Sequence, residues 1–225
     1  MNYPVVRIKI CGITTLEDAH VAIRAGADAL GFLVDLLYPS EDELAPEAAA
    51  EIVAALPPFV SPTLVTHAVE PARVRELVRT VHPHVLQLHG GFSLDDIPPL
   101  RVDFRHLKVI KAVHVEGAEA IERARRAAQF ADAVLLDTKT ATRLGGTGLT
   151  HDWEISRRIR EALGKRPVIL AGGLNPDNVA AAIEQVQPWA VDVNSGVSAR
   201  RGVKSAAAVQ SFVRCARRRL SHAPA

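Results

Sequence analysis

Short runs rich in aliphatic and β-branched residues alternate along this chain with longer segments whose apolar positions recur at helical spacing. The short runs predict strands over 6–10, 29–34, 62–66, 85–88, 109–113, 133–136, 168–170 and 190–193. The longer segments predict helices over 16–25, 46–55, 71–80, 94–100, 117–128, 152–163 and 176–185, with 203–220 closing the chain. Helix starts support this division. Pro46, Pro71 and Pro176 fall at first-turn positions, where a missing N–H costs nothing. Thr14 or Thr15 offers a cap to the first helix and Asn175 to the seventh. Strands alternating with helices of this length predict a parallel sheet. Eight such units predict a (β/α)8 TIM barrel, an α/β fold, with residues 1–225 forming a single domain.

Barrels of this kind gather chemistry at the C-terminal ends of their strands. The polar residues expected there are Cys11, Asp35, His67, His89, His114, Asp137, Gly172-Gly173 and Asn194-Ser195-Gly196. A thiol at Cys11 and a carboxylate at Asp137, on one barrel face, make a base and an acid for proton transfer on a sugar. The glycine loops after the last two strands let backbone amides approach an anion, which points to a phosphorylated small molecule. A third glycine loop, Gly145-Gly146-Thr147-Gly148, is long for a strand-to-helix connection and reads as a lid or substrate loop.

Composition changes this picture little. Apolar residues make up 48% and charged residues 23%, ordinary values for a globular protein. The 27 basic and 25 acidic residues leave a net charge of +2, so no nucleic-acid or membrane partner is expected. Arg214, Arg217, Arg218 and Arg219 read as a solvated face of the last helix. Cys11 and Cys215 form no disulfide framework, no apolar run reaches membrane-spanning length, and the first seven residues lack a signal-peptide core. A cytoplasmic location with both thiols reduced is the expectation.

Six segments carry a resemblance, in order along the chain. They are Lys9-Ile10-Cys11-Gly12, Gln87-Leu88-His89-Gly90, Leu136-Asp137, the Gly145–Gly148 loop, Ile169 to Leu174 and Asp192 to Val197. Together they resemble the phosphoribosylanthranilate isomerase family of tryptophan biosynthesis, over residues 7 to 213. The resemblance implies an Amadori rearrangement without metal or organic cofactor, Cys11 as general base and Asp137 as general acid. It also implies a substrate and phosphate site formed by Gly172, Gly173, Asn194, Ser195 and Gly196, joined by Gly146, His89, Asp192 and Arg143. Opening the furanose needs a proton on its ring oxygen. The resulting iminium acidifies the neighbouring C–H, so a thiolate suffices as base if Lys9 lowers its pKa.

Two departures from the family pattern stand out. After strand two the family carries a Lys-Ser-Pro-Arg-like segment whose arginine binds the anthranilate carboxylate; here Asp35, Glu41, Asp42 and Glu43 occupy the region. Acids facing the substrate carboxylate would repel it, so the aglycone is open and Arg143 or Lys139 would have to substitute. After strand three, His67 stands where the family tends to asparagine. With it, Asp35, His67, His89 and His114 end four consecutive strands, which raises a second reading as a metal-dependent phosphosugar epimerase or isomerase. A barrel that binds a phosphorylated ligand without turnover is a third.

Overall fold

The computed structural model describes residues 5–140, 143–144 and 152–218. Eight parallel strands form a closed barrel: β1 (Arg7–Ile10), β2 (Ala29–Leu33), β3 (Ser61–Thr66), β4 (Val85–Leu88), β5 (Lys108–His114), β6 (Ala133–Asp137), β7 (Val168–Leu170) and β8 (Ala190–Val193). Each pairs with its sequence neighbours, and β1 closes the ring against β8 with Lys9 opposite Asp192. Around it run α1 (Leu16–Ala25), α2 (Pro46–Ala54), α3 (Pro71–Val81), α4 (Ile97–Asp103), α5 (Ala120–Phe130), α6 (Trp153–Leu163), α7 (Val179–Val186) and α8 (Ala206–Arg217). The expected barrel is therefore present. Among the described residues, no helix is long and apolar enough to cross a membrane.

Strand alternation divides the core in two. Ile8, Ile10, Leu30, Phe32, Leu64, Leu86, Leu88, Val109, Val134 and Leu136 point outward and pack against the helices. The opposite set, including Ile110, Ala112, Leu135, Ile169, Ala171 and Ala190, fills the barrel itself. Small alanines in that inner layer leave its upper end open, where the next inward positions are polar.

Several element boundaries differ from expectation, each for a local reason. Helix four begins at Ile97 after a 3-10 turn over Leu94–Asp96, which places Pro98 and Pro99 in the first turn, where no amide is needed. Helix five starts at Ala120, because Gly117 to Ala120 first close a turn. Pro176 precedes α7 rather than starting it. The Asn175 side chain accepts from the amides of Asp177 and Asn178, so it caps a turn and the helix begins at Val179. Residues 198–204 form a short antiparallel pair, Ser198–Arg200 with Val203–Lys204, and Ser205 then caps α8. Thr15, not Thr14, caps α1. Arg217 on α8 is occupied structurally, donating to the Gly26 carbonyl at 2.6 Å.

At the N-terminal end of the barrel, two carboxylates hold strand amides. Asp28 accepts from the Ile8 amide at 2.8 Å, and Asp132 accepts from the Val109 amide at 2.8 Å and from Arg101 at 2.9 Å. Asp132→Ala leaves a buried strand amide without this acceptor and is expected to lower stability by about 1–3 kcal/mol. Urea unfolding of the two proteins measures the difference.

Candidate active site

A cavity of about 540 Å³ opens at the C-terminal end of the barrel. Cys11, His89, Asp137, Gly172, Gly173, Asp192, Asn194 and Ser195, expected as site residues, all line it. Gly196 sits just behind, packed against the Leu174 carbonyl, and so brings the loop after β8 against the loop after β7. Gly146, the rest of the loop 145–148 and the lid read onto it lie outside the described residues, and Arg143 enters only through the backbone of a short strand.

On β1 the side chains of Lys9 and Cys11 share the inner face. A methyl group on Gly31 of the adjacent strand would fall 2.6 Å from Cys11 Sγ and 3.0 Å from Lys9 Cε, so this glycine makes room for both. Lys9 donates to Asp192 at 2.8 Å in an ion pair whose side chains are only 4% and 7% exposed. Burial works against the Lys9 charge, but Asp192 and then Cys11 outweigh it and raise the ammonium's pKa. The lowered Cys11 pKa on which a thiolate base was expected to depend is not found. Lys9 does pull it down, but burial is the larger influence and pushes the thiol up to about 11. At neutral pH Cys11 is therefore a thiol.

Across the barrel, Asp137 ends β6. Its Oδ1 accepts from the Thr138 amide at 2.7 Å and its Oδ2 lies 3.1 Å from His89 Nε2. Burial raises this carboxyl, yet the contacts with His89 and the Thr138 amide outweigh it and hold the pKa below the usual range. Gln87, two residues before His89 on the same face, places its Nε2 3.0 Å from His89 Nδ1. With the amide donating, Nδ1 is the acceptor and Nε2 carries the proton toward Asp137. Gly172 follows the adjacent strand with φ +80, and a side chain there would crowd Asp137 Oδ1 at 2.9 Å. The loop it belongs to is held by Asn178, which donates to the Gly173 carbonyl at 2.9 Å.

The quartet raised by the alternative, metal-dependent reading does not assemble. Asp35 takes a left-handed backbone, φ 57, and turns to Arg73, whose Nε lies 2.8 Å from its Oδ2. His67 Nδ1 accepts from the Leu37 amide at 3.1 Å, fixing the loop after β2. His67, His89 and His114 do line up, with successive ring centroids 5.4 Å apart. The group whose donor atoms lie within 4.8 Å of one another is instead His89, His114 and Asp137.

The acids after β2 also do not all face the substrate. Glu43 accepts from the Leu36 amide at 2.9 Å. Asp42 accepts from Asn194 Nδ2 and from the Gly202 amide, both at 2.9 Å. Asn194 in turn accepts from Lys204 Nζ at 2.6 Å, so its side chain links loops rather than standing free for a ligand. Arg201 and Lys204 carry no expectation from the sequence, Gln87 enters there only as part of a motif, and Asp42 only as a repelling acid. Gln87 was legible from the two-residue period before His89. Lys204 falls in the run predicted as the last helix, 203–220, and Arg201 just ahead of it, whereas Gly202 closes the turn of a short antiparallel pair.

Burial and then the neighbouring His89, His114 and Lys111 depress His67 to about 4, against 6.5 for a free imidazole. The unfolded chain thus takes up this proton first, so stability present above pH 6.5 is lost as the pH falls toward about 4. Urea unfolding across that range is expected to show the slope in the native protein and a shallower one in His67→Asn.

The family model described as N-(5'phosphoribosyl)anthranilate (PRA) isomerase matches residues 8–215. The isomerase of Haloferax volcanii is 45% identical over 211 residues, covering 94% of this chain and 93% of that protein. The crystal structure of the Thermotoga maritima isomerase superposes with a TM-score of 0.81 at 39% identity, covering 94% and 98% of the two chains. A second isomerase structure, in complex with reduced 1-(o-carboxyphenylamino)-1-deoxyribulose 5-phosphate, gives a TM-score of 0.78 at 37% identity, over 94% and 98%. A barrel with this cavity, matched along nearly its whole length, belongs to the N-(5'-phosphoribosyl)anthranilate isomerase family.

Proposed function

We propose that Cys11 and Asp137 carry out the Amadori rearrangement of N-(5-phosphoribosyl)anthranilate, the reaction of this family. The observation that carries these roles is their joint position on one cavity whose far wall is the pair of glycine loops. Those loops hold the phosphate through backbone amides, leaving the ribose between thiol and carboxyl. Asp137, when protonated, gives its proton to the furanose oxygen; the C1–O bond breaks as the amine lone pair forms a C1 iminium. Cys11, as thiolate, then takes the C2 proton, and the electron pair moves into a C1–C2 enamine that tautomerises to the 2-ketone. His89 positions Asp137, and Gln87 fixes the His89 tautomer.

The resting site holds the proton on the wrong partner for this sequence, with Cys11 protonated and Asp137 ionised. Moving one proton from thiol to carboxyl creates the reactive pair without changing the net charge. Such a pair keeps a constant active fraction between its two titrations. The alkaline limb of kcat/KM is therefore expected near pH 11 rather than at the ordinary thiol value of 9.0, and a limb between pH 8 and 9 would show that burial does not control Cys11. Cys11→Ala and Asp137→Asn are each expected to lower kcat by about two to four orders of magnitude with unchanged circular dichroism. Wild-type turnover in either variant would remove its residue from the role.

The His89–His114–Asp137 group favours one second reading, a divalent cation assisting the isomerisation. A cation there would take the Asp137 oxygen that the ring opening needs as its proton donor. Dialysis against a chelator is therefore expected to leave turnover unchanged; loss on chelation and recovery with a divalent ion would establish the metal reading. The two cysteines, Cys11 buried and Cys215 half-buried, are both free, which supports a reducing, cytoplasmic setting.

A further inference from the structure

On the isomerase reading above, the substrate presents two anions, a phosphate and an aryl carboxylate. The glycine loops serve the first. The loop after β2 offers the aryl ring an apolar wall of Leu36, Tyr38 and Pro39, but the charged residues it contributes to the cavity, Glu41 and Asp42, are acids. Among the described residues, Arg201 is the one lysine or arginine lining the cavity apart from the phosphate-loop backbone. We propose that Arg201 receives the aglycone carboxylate, so that this specificity contact comes from the turn after β8 instead of the loop after β2.

The turn is built to hold such a residue in place. Both backbone groups of Gly202, the next residue, are fixed: its amide donates to Asp42 Oδ1 at 2.9 Å, and its carbonyl accepts from Thr14 Oγ at 2.6 Å. A Cβ on Gly202 would meet the Glu41 carbonyl at 2.8 Å, so the turn lies directly against the loop that walls the aryl ring. Asp42 thus acts as a clip, with Oδ2 taken by Asn194 and Oδ1 by the Gly202 amide. Arg201 thus lines the cavity from an anchored turn and is exposed, and a guanidinium is the side chain that pairs a planar carboxylate in bidentate fashion. The acids thus sit in the loop after β2 and the cation in the turn after β8.

The test compares wild type, Arg201→Gln and Arg143→Gln on two substrates, N-(5-phosphoribosyl)anthranilate and its carboxylate-free analogue N-(5-phosphoribosyl)aniline, with inorganic phosphate as competitive inhibitor. Arg201→Gln is expected to raise KM for the anthranilate substrate about tenfold or more, to change the aniline substrate by less than about twofold, and to leave phosphate inhibition unaltered. Equal loss on both substrates, or weakened phosphate inhibition, would assign Arg201 to the phosphate and overturn the proposal. So would no loss on either, or a carboxylate-selective loss in Arg143→Gln alone. Failure of wild type to turn over the anthranilate substrate would instead overturn the isomerase reading.

Discussion

The site depends on one buried ion pair. Lys9 and Asp192 meet at the seam where β1 closes the barrel on β8, at paired register and nearly out of solvent. Each charge taken from water costs several kcal/mol, and removing one partner typically costs about 3–5 kcal/mol because the other is left uncompensated. The pair therefore fixes both strands, and everything above it follows the two-residue period. Cys11 lies two residues beyond Lys9; Asn194 lies two beyond Asp192 and connects to Lys204 and Asp42. Above the seam, Asn194, Lys204 and Asp42 form a hydrogen-bonded set that reaches the cavity rim.

The thiol and the carboxylate rest in opposite states because their buried neighbours differ. Cys11 lies beside an ammonium already committed to Asp192, so the attraction it feels is smaller than the penalty of ionising inside the barrel. Asp137 is as deeply buried but accepts from an amide and from His89, and these contacts win over burial. Hydrogen bonding, not depth, separates the two groups. Lys204 completes the set: burial lowers its pKa, and Asp42, Cys11 and Asp18 partly restore it.

Much of this was legible in the chain. Strands at 85–88, 168–170 and 190–193 and the helix at 16–25 were read with the bounds the structure shows, because short β-branched runs stood against clear turn signals. The inner-face residues followed from the barrel rule and the strand ends. What escaped was set by partners distant in sequence. The strand end predicts Asp35 facing the cavity, but Arg73, 38 residues away, turns it aside. Its position predicts Asp42 as a repelling acid, but Gly202, 160 residues away, makes it a fastener. For Cys11 the sequence shows the nearby lysine and conceals how completely the barrel excludes water.

The two ends of the barrel do separate work. Asp28 and Asp132 secure strand amides at the N-terminal end, a full strand length from the cavity. Substitutions that stiffen this lower rim do not meet the groups that handle the sugar, so the usual conflict between a firmer scaffold and an active centre under strain does not arise there. For anyone seeking a heat-tolerant catalyst or a new substrate range, the molecule is already partitioned. Durability can be engineered from below while selectivity is redesigned from above.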